Sequence, residues 1–155
     1  MNKRNIQITI VVSVFVLLSA YFFTSASSTK SNSIKNYAEV FKSPSCGCCN
    51  GYIAALKNDG FQVKSVDMDD LAAIKNKYNI PASMQSCHTT VVSRYFIEGH
   101  VPLEAVKKLL QEQPDIDGIA LPGMPIGTPG MPGPKEAPYV IYQIKNGQYS
   151  EFMKI

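Results

Sequence analysis

Residues 37–60 read YAEVFKSPSCGCCNGYIAALKNDG. Tyr37 to Lys42 alternates apolar and polar side chains, which predicts a short strand. Ser43-Pro44-Ser45-Cys46-Gly47-Cys48-Cys49 carries the residues of a turn. From Cys49 to Asn58, Tyr52, Ile53 and Leu56 recur at helical spacing, and Asp59-Gly60 supplies a stop. Gly51 costs a helix about 1 kcal/mol against Ala, so this helix is expected to start late or to be loose there. Cys46, Cys48 and Cys49 put three thiols within four residues, at or beside a helix N-terminus. Free N–H groups and the helix dipole favour thiolate over thiol at such a place.

Outward from this stretch, Phe61 to Val66 alternates and predicts a second strand. Asp69 or Asp70 caps a second helix that runs to Tyr78 with Leu71, Ile74 and Tyr78 inward, and Pro81 ends it. Thr89 to Val92 and Tyr95 to Glu98 predict two strands around a tight turn. Pro102 opens a third helix through Val106, Leu109 and Leu110 to Gln113. The order is strand, helix, strand, helix, strand, strand, helix, with Cys46 and Cys49 as C-x-x-C in the first turn. That is the α/β, thioredoxin-like pattern, a central mixed sheet flanked by helices. Pro114 to Pro138 then holds seven Pro and five Gly in 25 residues, with a Pro-Gly-Met unit repeated between Leu121 and Met131. A loop this long in a compact domain points to function or disorder. Tyr139–Ile144 and Tyr149–Met153 around Asn146-Gly147 predict a β-hairpin that anchors its far end.

Of the 155 residues, 45% are hydrophobic and 17% charged, which excludes a disordered polymer and a collagen-like repeat. The formal charge of +3 includes Lys3 and Arg4, which precede the apolar run Ile6–Phe23; without them it is +1. A nearly neutral domain offers no basic face to nucleic acid. Basic residues followed by an apolar run predict export. Residues 1–26 therefore read as a signal peptide ending near Thr24-Ser25-Ala26, or as an N-terminal membrane anchor. Residues 27–36 read as a Ser-rich linker, and 37–155 as the folded domain. Either outcome puts the domain outside the cytoplasm, with the membrane as a partner if the segment stays.

The chemistry concentrates in two clusters. Cys46, Cys48 and Cys49 form the first. Cys87-His88 forms the second and leads into the third strand, which in a thioredoxin-like order starts beside the C-x-x-C turn. His100 follows the next strand, nearby or at the rim. Met124 and Met131 carry thioethers on the Pro/Gly loop, where apolar burial does not explain them. Thiolate, thioether and imidazole together select Cu(I) most strongly, then Zn(II). Other readings stay open: two disulfides in any of three pairings, a structural zinc site, or thiol–disulfide exchange with Cys46 attacking and Cys49 resolving. Glu98 reads as a polar residue at a strand end, Met68 and Met84 as packing, and the tyrosines need no functional account. No nucleotide-binding loop, hydrolase triad or acidic pair is evident.

Ser43-Pro44-Ser45-Cys46-Gly47-Cys48-Cys49, Gly60-Phe61-x-Val63, Ile80-Pro81, Ser86-Cys87-His88-Thr89-Thr90, Glu98-Gly99-His100-Val101-Pro102, Leu121-Pro122-Gly123-Met124-Pro125 and Gly127-Thr128-Pro129-Gly130-Met131 resemble, in order and spacing, an exported family. It is the "domain of unknown function 411" family, which includes the CopG-type copper-resistance proteins. The resemblance spans about Ala38 to Ile144. It implies a thioredoxin-like fold in the periplasm and Cu(I), as one ion or a multinuclear cluster, on the cysteine-rich turn. It also implies a role in copper handling, with copper redox chemistry and copper-handling proteins as partners. Carried over residue by residue, Cys46, Cys48, Cys49 and Cys87 are the principal sulfur ligands, and His88, His100, Met124 and Met131 further ones. Family members commonly carry Trp after the cysteine turn, where this chain has Asn50-Gly51-Tyr52; some carry Glu after the loop Gly-Met, where it has Met131-Pro132. Neither departure removes a sulfur.

Overall fold

A computed structural model describes residues 37–155. The expected export segment and linker lie outside the described residues. Among the described residues no helix is long and apolar enough to cross a membrane.

Strand β1 (Tyr37–Lys42) leads through the cysteine turn into helix α1 (Gly47–Asn58). Strand β2 (Gln62–Asp67), helix α2 (Ala72–Lys77) and a 3-10 turn (Ala82–Met84) follow. Then come β3 (His88–Val92), β4 (Tyr95–Glu98), helix α3 (Leu103–Glu112), β5 (Gly118–Ala120), β6 (Val140–Lys145) and β7 (Gln148–Lys154). All seven strands form one mixed sheet in the order β2-β1-β3-β4-β5-β6-β7. β1 runs parallel to β2 and antiparallel to β3, and β3 antiparallel to β4. β5 is parallel to β4, and β6 and β7 complete the sheet in antiparallel register.

Two differences from expectation have physical causes. The hairpin continues the sheet, joined to it by β5, a strand that the sequence pattern does not predict. Only glycine fits at Gly118, because a Cβ there would lie 2.2 Å from the Phe96 carbonyl oxygen and 2.6 Å from its ring. That close approach lets β5 pair with β4 from inside a segment whose composition reads as loop. Helix α1 also starts at Gly47, earlier than expected, and continues without a break through Gly51. The hairpin turn itself is as expected: Asn146 and Gly147 both have positive φ, 52° and 75°, as a type I′ turn requires.

Phe96 and Ile97 are neighbours in β4, so their side chains leave opposite faces of the sheet. Ile97 packs in the larger core with Tyr52 and Leu56 of α1 and Val106 and Leu109 of α3. Phe96 packs in the smaller one with Ile80, Met84, Ala120 and Ile144. The alternate residues Ala38, Val40 and Lys42 of β1 are buried. β1 is covered by β2 on one side and β3 on the other, so the cysteine turn leaves from the interior of the sheet rather than from an edge strand.

Candidate functional site

Cys46 is the N-cap of α1, and Cys48 and Cys49 fill its first turn. Cys46 N–H closes the preceding turn on the Ser43 carbonyl at 3.1 Å. The β1–β3 register sets His88 opposite Lys42, so Cys87 arrives beside the turn that follows β1. The expectation that Cys87-His88 meets the first three cysteines is therefore met. One ligand atom from each of Cys46, Cys48, Cys49 and Cys87 lies within 4.8 Å of all the others. Cys48 Sγ is 3.5 Å from Cys46 Sγ and 4.0 Å from Cys87 Sγ, and Cys87 Sγ is 3.7 Å from Cys49 Sγ.

Cys46 and Cys49 are joined by a disulfide, and Cys48 and Cys87 are free thiols. Of the two-disulfide arrangements open from sequence, one bond is made. Cys49 is fully buried while Cys46 is half-buried, so Cys46 is the sulfur within reach of an outside thiol. In this oxidised form two of the four sulfurs are committed to each other, and four thiolates require that bond to be reduced.

Both histidines join the site, and both are buried. His100 Nε2 is 3.2 Å from Cys87 Sγ, and His88 Nδ1 is 3.4 Å from it. Cys87, His88 and His100 thus form a second donor group that shares Cys87 with the first. His100 lies inside the site rather than on its rim. Its Nδ1 is 2.7 Å from the Pro129 carbonyl oxygen, which only accepts, so Nδ1 carries the proton and Nε2 turns a lone pair to Cys87. His88 Nε2 is buried with no hydrogen-bond partner. Tyr52 fills the space beneath, its ring centroid 4.7 Å from that of His88 and its hydroxyl donating to the Val101 carbonyl at 3.1 Å.

Burial pulls His88 down to about 3, with help from His100 and Lys75. Burial likewise lowers His100, against the opposing hydrogen bond to Pro129. The Cys87 thiol is pushed up to about 11, first by burial and then by Cys48. At neutral pH the site therefore offers neutral imidazoles and a protonated Cys87.

The Pro/Gly loop reaches the site through its backbone. A Cβ on Gly51 would lie 2.7 Å from Gly130 Cα, and one on Gly130 would lie 2.5 Å from the Cys48 carbonyl oxygen. The glycine that looked like a weak point in α1 is the place where the loop seats on it. Gly51→Ala, favourable by about 1 kcal/mol in an isolated helix, is instead expected to destabilise this chain by roughly 1–3 kcal/mol through overpacking. A urea unfolding midpoint measures the sign; a rise in stability would mean that the loop is not seated there. Of the two loop methionines, Met131 is half-buried next to Gly130, and Met124 is 40% exposed. The sulfur and imidazole cluster forms without the Met124 side chain being drawn into the interior.

Sequence reasoning missed two features. One is the Pro129 carbonyl that orients His100, for which a backbone atom leaves no sequence signal. The other is the burial of Glu98, which does end strand β4 as expected. It is fully buried, ion-paired with the buried Lys75, and accepts hydrogen bonds from Ser86 N–H at 2.7 Å and Thr89 Oγ1 at 2.6 Å. Lys75 lies between buried Ile74 and exposed Asn76 in a short helix, and a lysine's charge gives no hint that it shares the buried side.

The donor set fits a soft ion. Thiols and neutral imidazoles converge within one small volume, and a buried imidazole nitrogen there has no protein partner. A family described as "Protein of unknown function, DUF411" matches residues 84–131. Two solved structures of a copper resistance protein, copG form 1 and form 2, are each similar to this chain with 38% identity and a TM-score of 0.71. Each likeness covers 77% of this chain, and 96% and 97% of the respective copG chains. No curated protein matches the chain.

Proposed function

The chain belongs to the DUF411 family, with the copG copper resistance protein, and from that premise we propose that it binds Cu(I) as cargo for copper resistance or homeostasis. The observation that carries the reading is the convergence of four cysteine sulfurs with two imidazoles on Cys87. Cys46, Cys48, Cys49 and Cys87 supply soft ligands for Cu(I), and His88 and His100 supply nitrogen that Cu(II) also accepts. Met131 is the better placed thioether of the two, beside the glycine that touches α1.

A redox role is supported by the Cys46–Cys49 bond. In the reduced chain, two Cu(II) ions take one electron each from this thiol pair, which closes to the disulfide and releases two protons. The products are two Cu(I), for which Cys48, Cys87 and the imidazoles remain as ligands. The same bond favours a second reading, thiol–disulfide exchange through Cys46, in which no metal takes part. The strand order β2-β1-β3-β4, with a helix after β1 and another after β4, supports a thioredoxin-like core extended by three strands. We read that domain, residues 37–155, as periplasmic, carried there by the basic and apolar segment 1–26 as a cleaved signal or a retained anchor.

Competition against a chromophoric Cu(I) chelator under reducing, oxygen-free conditions tests the copper reading. Cys48→Ser is expected to reduce the copper bound per chain sharply, and unchanged binding would overturn the cluster. Disulfide exchange with a model substrate that survives Cys48→Ser and needs no metal would favour the second reading. The same titration has an expected pH dependence. Copper must expel the Cys87 proton together with that of every other thiol it binds, but no imidazole proton, so from pH 6 to 9 affinity should rise at least about tenfold per pH unit, and Cys87→Ser should lower that slope by about one. A slope unchanged by Cys87→Ser would mean that Cys87 stays out of the copper shell.

A further inference from the structure

The buried Lys75–Glu98 pair lies outside the metal-ligating set, and its hydrogen bonds are aimed at one short piece of chain. Ser86 immediately precedes Cys87 and lies outside any helix or strand. Its N–H donates to Glu98 Oε1 at 2.7 Å, and its carbonyl accepts from Lys75 Nζ at 2.9 Å. Both backbone polar groups of Ser86 are therefore held by one ion pair, whose members come from α2 and the end of β4. Thr89, two residues beyond Cys87, is held from the same place: its hydroxyl donates to Glu98 Oε2 at 2.6 Å. Gly99 closes the remaining side. A Cβ there would lie 2.8 Å from the Ser86 side chain, and Gly99 N–H donates to the His88 carbonyl at 3.0 Å.

A buried ion pair is a poor source of net stability, because removing two charges from water costs several kcal/mol and well-packed apolar residues often do as well. An unpartnered buried peptide group, in contrast, is rare. The pair supplies what Ser86 lacks: a donor and an acceptor at fixed positions, just before the residue that both donor groups share. We propose that Lys75 and Glu98 are positioning residues that set Cys87 against Cys48 and Cys49. This rests on the reading of Cys87 as a copper ligand, and it deepens that reading by naming what places the sulfur.

The test reads the position of Cys87 without copper. In the full-length chain carrying Cys46→Ser and Cys49→Ser, only Cys48 and Cys87 remain, and diamide with a chelator present closes them to a disulfide. Two further backgrounds are compared with this one. Lys75→Met with Glu98→Leu removes both anchors, and Lys75→Met with Glu98→Gln keeps an acceptor for Ser86 N–H. Closure is expected to slow about tenfold or more in the first and about two- to fivefold in the second, because small misplacements are costly in intramolecular reactions. Partial rescue by Gln, with circular dichroism unchanged, is a readout that loss of stability alone would not give. Folded variants that both close at the parental rate would overturn the proposal. If the Leu variant does not fold, the Gln variant decides: a slowing of about twofold or more sustains the proposal, and the parental rate overturns it. Failure of the wild-type chain to bind copper would sink the functional reading and leave this result standing.

Discussion

Cys87→Ser is expected to lower Cu(I) affinity at least about 100-fold, since changes to mere outer-shell partners of metal ligands already cost 10–100-fold. It should also abolish any thiolate-to-Cu(II) absorption that needs imidazole and sulfur on the same ion. Cys87 belongs to both donor groups: its sulfur is 3.7–4.0 Å from Cys49 and Cys48, and 3.2–3.4 Å from the two imidazoles. Serine keeps the shape but replaces a soft thiolate by a hard hydroxyl that soft Cu(I) does not favour. The Cys46–Cys49 bond can still form, so disulfide exchange through Cys46 should persist in the variant. Chelator competition measures the first effect and insulin reduction the second. An affinity within about threefold of wild type would remove Cys87 from the site, given the size of the ligand effects expected.

Lys75→Met alone is expected to cost about 3–5 kcal/mol of folding stability, because it leaves the Glu98 carboxylate buried and unpaired. Replacing both members, with Glu98→Leu, should cost less, the remainder coming from the Ser86 N–H and carbonyl left without these partners. The penalty should also depend on pH in a defined direction. Burial raises the Glu98 carboxyl above its ordinary value, and Lys75 is the first group opposing that rise. Without Lys75 the folded-state value rises further. A group raised on folding contributes its stability below its unfolded value and loses it as pH climbs through the folded one. The single variant should therefore be closest to wild type near pH 4 and furthest from it near neutral pH. Urea denaturation at the two pH values measures this. A Lys75→Met chain as stable as wild type at neutral pH would mean that Glu98 reaches solvent.

The first half of the fold was legible because its elements carry strong periodic signals. Tyr37–Lys42, Tyr95–Glu98 and the Pro102-led α3 come within a residue of expectation. β5 was not legible: three residues, Gly118-Ile119-Ala120, hold no period, and the contact that makes Gly118 obligatory comes from Phe96, more than twenty residues earlier. Asn146-Gly147 announced the hairpin, but not that β5 would join it to the sheet. At the site, the cysteine spacing brought out all four sulfurs, since Cys46 to Cys49 are close in sequence and Cys87 follows from strand order. Which two sulfurs are joined depends on side-chain directions that spacing does not encode. The burial of Glu98 depends on Lys75 arriving from α2, a tertiary pairing with no local pattern. Gly51 gave the one local signal that was read with the wrong sign. Its small size is a requirement of the Gly130 backbone rather than a weakness of the helix.

Metal content of the full-length chain tests the copper reading most directly. The protein is prepared reduced and oxygen-free with copper and zinc both offered, and bound metal is counted per chain. The expected result is more than one copper per chain with little zinc, as bridging thiolates select Cu(I) over Zn(II). Zinc near one per chain, or no metal beside a reducible Cys46–Cys49 bond, would contradict it.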